Sequence, residues 1–202
     1  MKNSKLSIIG IAVAALLFSS CTKDYLHIDG VGKITTKTLE LNDFNSINML
    51  GVDDVIISYG AEQKVTVTGH PNIISRIKTK VANKTWNIEL EDGNYGNYEL
   101  TYYLTLPVIE KITSEGTGDV VITDFISQDN ISVNLIGTGN FNGFPMTVKN
   151  CNVDISGTSN CEISVETSLD ATIIGSGSVY YKGNPSINTN ISGSGSVIQM
   201  NN

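Results

Sequence analysis

Three cysteines, two histidines and twenty carboxylates are the groups in this 202-residue sequence equipped for covalent, acid-base or metal chemistry. Their spacing argues against most of that chemistry. Proton transfer to a glycan needs clustered carboxylates, or a carboxylate beside a cation, at positions that converge. The outward acidic positions Asp124, Asp129, Asp154, Glu162, Glu166 and Asp170 fall at different offsets, and Arg76 is the sole arginine. His27 lies in a polar stretch and His70 precedes Pro71, so no nucleophile, base and orienting group come together. Cys151 and Cys161 occupy positions that elsewhere hold hydrophobes, which reads as two buried thiols packed like small apolar side chains; a disulfide across a bend is the alternative. No zinc-ligand spacing is present. The expectation is a non-enzyme with no cofactor and no metal site. Tyr95, Tyr103, Tyr180 and Trp86 remain as rings able to stack on a sugar or a side chain, and they form the candidate ligand-contacting surface.

The elements that must carry these residues are written in a repeat. One phrase returns five times between residues 112 and 198: Gly116-Thr-Gly118-Asp119, Gly137-Thr-Gly139-Asn140, Gly157-Thr-Ser-Asn160, Gly175-Ser-Gly177-Ser178 and Gly193-Ser-Gly195-Ser196. The first glycines stand 21, 20, 18 and 18 residues apart. Apolar residues alternate on both sides of each glycine, so each copy makes two short strands with one face inward and one in water. Gly51-Val-Asp-Asp54 superposes on the same phrase as a sixth copy. A corner glycine at every copy fits a bend that needs positive φ. The column Asp119, Asn140, Asn160, Ser178 and Ser196 reads as turn chemistry, since a calcium site would want more carboxylate than Asp119 alone. A period of 18 to 21 residues with this pattern predicts a stacked β-solenoid over residues 38 to 202.

Composition agrees with an all-β chain: 19 glycines and only 7% aromatic residues. The amino end differs. Lys2 and Lys5 precede an apolar run from Ile8 to Phe18, then Ser19-Ser20-Cys21, the layout of a signal peptide too short to span a membrane. Small residues directly before a cysteine resemble the lipobox of bacterial lipoproteins, in which Cys21 would be lipidated and become the first residue of a tethered chain; an ordinary secretory signal is the competing reading. Thr22-Lys23-Asp24 is similar to the surface-export signal of Bacteroidetes lipoproteins. Residues 1–20 are thus expected as signal peptide and 21–37 as a polar tether. Losing two lysines with the leader takes the formal charge from −7 to −9, which excludes nucleic acid as a partner.

Between Gly51 and Gly116 the phrase is degenerate. Strands are expected near residues 64–68, 85–91 and 98–106, with a short helical turn after His70-Pro71-Asn72. The stretch Asp43-Phe44-Asn45-Ser46-Ile47-Asn48, followed by Gly51-Val-Asp-Asp-Val-Ile-Ile57 and the Gly-Thr-Gly and Gly-Ser-Gly corners, resembles the head GIN domain of auto-transporter adhesins, common in Bacteroidetes. The resemblance covers roughly Leu39 to Met200, with Ser46-Ile47-Asn48 standing where the family has Gly-Ile-Asn. It implies a right-handed parallel β-helix on a secreted or surface lipoprotein with an adhesin role, and no translocator barrel is expected to follow. The resulting expectation is a lipid-anchored envelope protein, in the outer membrane, acting as a binding module for a glycan or protein. A passive structural envelope protein and a carbohydrate-active enzyme are the alternatives. Self-association through the last copy, Ile191 to Gln199, is expected from its uncovered apolar residues.

Overall fold

The computed structural model describes residues 26–201; the leader and residues 21–25 of the expected tether, Cys21 among them, lie outside them. In chain order the elements are β1 (His27–Ile28), β2 (Thr35–Leu39), β3 (Ser46–Gly51), β4 (Asp54–Tyr59), β5 (Lys64–Gly69) and α1 (Pro71–Ile74). There follow β6 (Val81–Ala82), β7 (Thr85–Ile88), β8 (Asn94–Tyr95), β9 (Leu100–Leu106), β10 (Lys111–Gly116) and β11 (Val120–Asp124). The chain finishes with β12 (Gln128–Gly137), β13 (Phe141–Gly157), β14 (Asn160–Gly175), β15 (Ser178–Lys182), β16 (Ser186–Gly193) and β17 (Ser196–Gln199). Strand pairing starts inside the 21–37 segment, where β1 lies beside β8 and β2 begins at Thr35.

The right-handed parallel β-helix, a solenoid of even rungs, is not what forms. Fifteen strands make one curled, mixed sheet whose path runs β2-β5-β9-β4-β11-β13-β12-β10-β3-β7-β6. β2 pairs antiparallel with β5, β5 antiparallel with β9, and β6 antiparallel with β7. The reason is local. Asn83 and Lys84 both take positive φ, 50° and 60°, the two-residue hairpin conformation that returns a strand beside its predecessor. Parallel neighbours need a crossover of a dozen or more residues, and the chain leading to Gly116 mixes the two modes: β4–β9 and β3–β7 are parallel, whereas β5–β9 and β6–β7 are reversals. β9 then inserts between β4 and β5.

The glycine phrases do lie in register. β3, β10, β12 and the carboxyl halves of β13 and β14, then β16, form one ladder in which Gly51, Gly116, Gly137, Gly157, Gly175 and Gly193 are successive partners. β9, β4, β11, the amino halves of β13 and β14, then β15 and β17 form a second. β13 and β14 belong to both, and so join them into one sheet. Each tier is a strand from each ladder with its corner between. All six corner glycines have positive φ, from 121° to 137°. A methyl group on Gly116, Gly137, Gly157, Gly175 or Gly193 would overlap the carbonyl oxygen of the preceding corner glycine, which explains glycine there more fully than φ alone.

The core is the space between the ladders. Ile47, Met49, Val55 and Ile57 lie under Ile112, Val120 and Ile122, and these under Val133, Leu135 and Phe141, all buried. Phe44, Trp86 and Tyr102 close the first end, with ring centroids 5.6 and 5.8 Å apart in sequence of contact. α1 adds Ile73 and Ile74 there, with Pro71 at the start of the helix. Cys151 and Cys161 are buried free thiols, and no disulfide joins them. Burial pushes the Cys151 thiol up to about 12 and raises Cys161 as well, so neither is a ready nucleophile.

Candidate functional site

The ring residues singled out from the sequence separate into three environments. Trp86 shares a strand face with Ile88, and both point into the core; Trp86 is 0% exposed and its indole N–H donates to the Lys78 carbonyl at 2.9 Å. It reaches no surface, contrary to its place among the candidate ligand contacts. Tyr103 and Tyr180 lie on the outer face of the second ladder. Register partners run Tyr103, Ile56, Val121, Asn142, Glu162, Tyr180, one from each successive strand. Five strand spacings separate the two tyrosines, roughly 24 Å at about 4.8 Å each. Tyr103 is 41% exposed and Tyr180 half-buried. The Lys182 ammonium sits 4.8 Å from the centre of the Phe144 ring beside this row, a cation over an aromatic face. The face is therefore continuous sheet with an aromatic ring near each end of one row.

Tyr95 belongs to a cleft of about 1020 Å³ between the first corner, residues 50–54, and the segment 89–101. The cleft has a structural cause. Every later corner rests on the one before it, whereas a methyl group built on Gly51 meets nothing within 4 Å. The second residue after each corner glycine shows the same asymmetry: Gly118, Gly139, Ser159, Gly177 and Gly195 in later copies, but Asp53 in the first. A Cβ on Gly118 would overlap the Asp53 carbonyl oxygen, so later tiers exclude a large side chain where the first tier accepts one. Asp53, where the other corners carry a small residue, is the signal in the sequence for the cleft.

Six carboxylates line the cleft: Asp53, Asp54, Glu89, Glu91, Asp92 and Glu99. Three of them are compensated. The Lys78 ammonium lies 3.3 Å from Glu89 and 3.7 Å from Asp92, and Arg76 lies 3.8 Å from Glu91. Burial pushes the Asp53 carboxyl up to about 6, against a hydrogen bond from the Tyr98 hydroxyl that lowers it; the neighbouring Asp54 charge adds to the rise. Burial and then the Asp53 charge push the Tyr98 phenol up to about 12. Burial raises the Tyr102 phenol too. The Tyr95 hydroxyl is committed to the Glu91 carbonyl at 2.7 Å. This is a hydrogen-bonding, ring-walled recess. Among the described residues no three His, Cys, Asp or Glu side chains are gathered as for a metal ion.

The polar corner column proves to be a ladder of its own. Asp54 Oδ1 accepts the Asp119 N–H at 2.9 Å, Asp119 Oδ1 the Asn140 N–H at 2.7 Å, Asn140 Oδ1 the Asn160 N–H at 2.9 Å, and Asn160 Oδ1 the Ser178 N–H at 3.1 Å. Each side chain satisfies the backbone of the following tier, so the column is structural. His27 pairs with Asp29 at 3.1 Å and His70 Nδ1 accepts the Glu99 N–H at 3.1 Å, in different surroundings. Among the outward carboxylates, Asp129 pairs with Lys149 at 2.7 Å, and Asp154 and Asp170 accept from Asn152 and Asn188. They are not assembled into one constellation.

Comparison with known proteins bears on the same elements. A family model described as "Putative auto-transporter adhesin, head GIN domain" matches residues 43–144 and 129–185. Among solved structures, a "putative adhesin" from Bacteroides fragilis is similar over 86% of this chain and 100% of its own, at 19% identity and a TM-score of 0.59. A "putative adhesin" from Parabacteroides merdae is similar over 87% of this chain and 99% of its own, at 16% identity and a TM-score of 0.50. At such identities the likeness is one of fold. No curated protein matches.

Proposed function

The chain belongs to the head GIN domain family of auto-transporter adhesins, and from that premise we propose that it is a non-catalytic binding module of the cell envelope, tethered by lipid on Cys21. The observation that carries the binding reading is the outer row from Tyr103 to Tyr180. A sheet face fixed by backbone ladders on both sides presents its rings with little entropy left to lose on association. Two rings roughly 24 Å apart, with Asn142 and Glu162 between them, suit an extended hydroxylated ligand such as a glycan chain, which takes ring stacking and hydrogen bonds along its length. The outward carboxylates are scattered, and Asp129, Asp154 and Asp170 are engaged by lysine or asparagine, which favours binding over catalysis. Family membership supports a surface or envelope location. Among the described residues no helix is long and apolar enough to cross a membrane, so attachment rests on the leader and Cys21.

The test is a glycan array probed with the wild-type chain and with Tyr103→Ala, Tyr180→Ala and the double variant. Each single change is expected to weaken binding roughly tenfold, by analogy with loss of one stacked ring worth about 1–1.5 kcal/mol. A wild-type chain that binds no glycan or surface protein favours a passive structural role, and binding indifferent to both tyrosines removes this face as the site.

A further inference from the structure

The two ends of the sheet are built differently. At the first end the core is closed by Phe44, Trp86 and Tyr102, and the outermost strands are protected in the usual ways: β2 carries Lys37 at its centre, and β6 is two residues long. At the other end, among the described residues, β16 pairs only with β14, and β17 only with β15. Both leave a row of backbone N–H and C=O groups on their free side. β16 is eight residues long, carries no proline, and continues its partner without a register shift. Its core-facing positions show the lack of cover. Ile187 and Ile191 are 42% and 40% exposed, where their partners one tier back, Leu169 and Ile173, are 0% exposed.

Charge indicates what completes this end. The protein carries a formal charge of −7, yet no Asp, Glu, Lys or Arg occurs from Gly183 onward. The chain as a whole is negative, yet two copies approaching by this end set no fixed charge against one another. A basic partner finds no carboxylate here, and an acidic one no lysine. A two-fold axis across the tier sets β16 antiparallel to β16 of the second copy and continues the sheet through both molecules. The closed first end then stops growth at two chains. We propose that the last tier, β16 with β17, is a self-complementary edge through which two copies of this chain join.

Sedimentation of the full chain in a non-ionic detergent tests this directly. The expected protein mass is twice that of one chain at micromolar concentration. Asn190 is exposed near the middle of β16, where two-fold pairing brings added charges closest. Asn190→Lys is expected to raise the dissociation constant at least about tenfold through like-charge opposition, with an unchanged native circular dichroism spectrum. Ser192→Lys, also exposed on β16, serves as the second variant should the first fold poorly. A wild-type chain that sediments as a monomer overturns the proposal, as does a variant that folds normally and pairs as tightly as wild type. Open-ended higher oligomers overturn the closed two-fold form.

Discussion

Alanine at Gly137 and at Gly51 should have unequal costs, although both glycines stand at the same place in their corners. Gly137 has φ of 121° and Gly51 of 137°, so an L-residue at either pays a backbone strain of roughly 1–3 kcal/mol. At Gly51 that is the whole effect, because the new methyl group meets nothing within 4 Å. At Gly137 it overlaps the Gly116 carbonyl oxygen, which accepts the Thr138 N–H at 3.0 Å and the Gly139 N–H at 3.2 Å. Displacing that carbonyl weakens two hydrogen bonds, each worth about 0.5–1.5 kcal/mol net. Gly137→Ala should therefore exceed Gly51→Ala by about 1–3 kcal/mol. Thr138→Ser keeps the backbone donor and should stay within about 0.5 kcal/mol of wild type. Denaturant unfolding monitored by circular dichroism reads the difference as a shift in midpoint at constant slope. Equal midpoints for the two alanine variants would refute the argument that tier-on-tier contact, rather than φ alone, demands these glycines.

The remaining expectations concern the cleft and the anchor. Asp53 has a folded pKa of about 6, above its ordinary value of 3.8, so between those values the native state holds the proton more tightly than the unfolded chain. Stability should accordingly fall as pH rises from about 4 to about 6, by roughly 1–2 kcal/mol for this half-buried group. Asp53→Asn should flatten that slope and raise the midpoint at neutral pH, and an unchanged pH profile in the variant would remove Asp53 as its source. Cys21→Ser should shift the protein from the membrane fraction to the soluble fraction, or leave it unprocessed, because only a thiol accepts the thioether lipid; a variant cleaved normally and still membrane-held would exclude the anchor.

How much of this was legible in the sequence follows from the range of each interaction. Alternation around a recurring glycine is local, and its repetition at near-constant spacing sets Ile112 over Ile47, Val133 over Ile112 and Cys161 beside Phe141. The same alternation correctly assigned the core columns, since period two fixes which residues share a face. It does not distinguish a parallel neighbour from an antiparallel one. That choice rests on which distant strand supplies the hydrogen bonds, and here Asn83-Lys84 turned β7 back on β6 while β9 inserted between β4 and β5. The right-handed parallel β-solenoid expected over residues 38–202 therefore gave way to a mixed sheet. Trp86 stands among the candidate contacts as a ring able to stack on a sugar or a side chain, although its two-residue offset from Ile88 places both on one face. The cleft leaves one trace in the sequence, Asp53 after the first corner glycine, but tertiary structure gives it meaning: an Asp two residues after a corner glycine has room only where no earlier corner lies against it. Sequence by itself determined which side chains face inward, through short-range stereochemistry; the folded chain decided what lay at each end of the stack, because an end is defined by the neighbour it lacks.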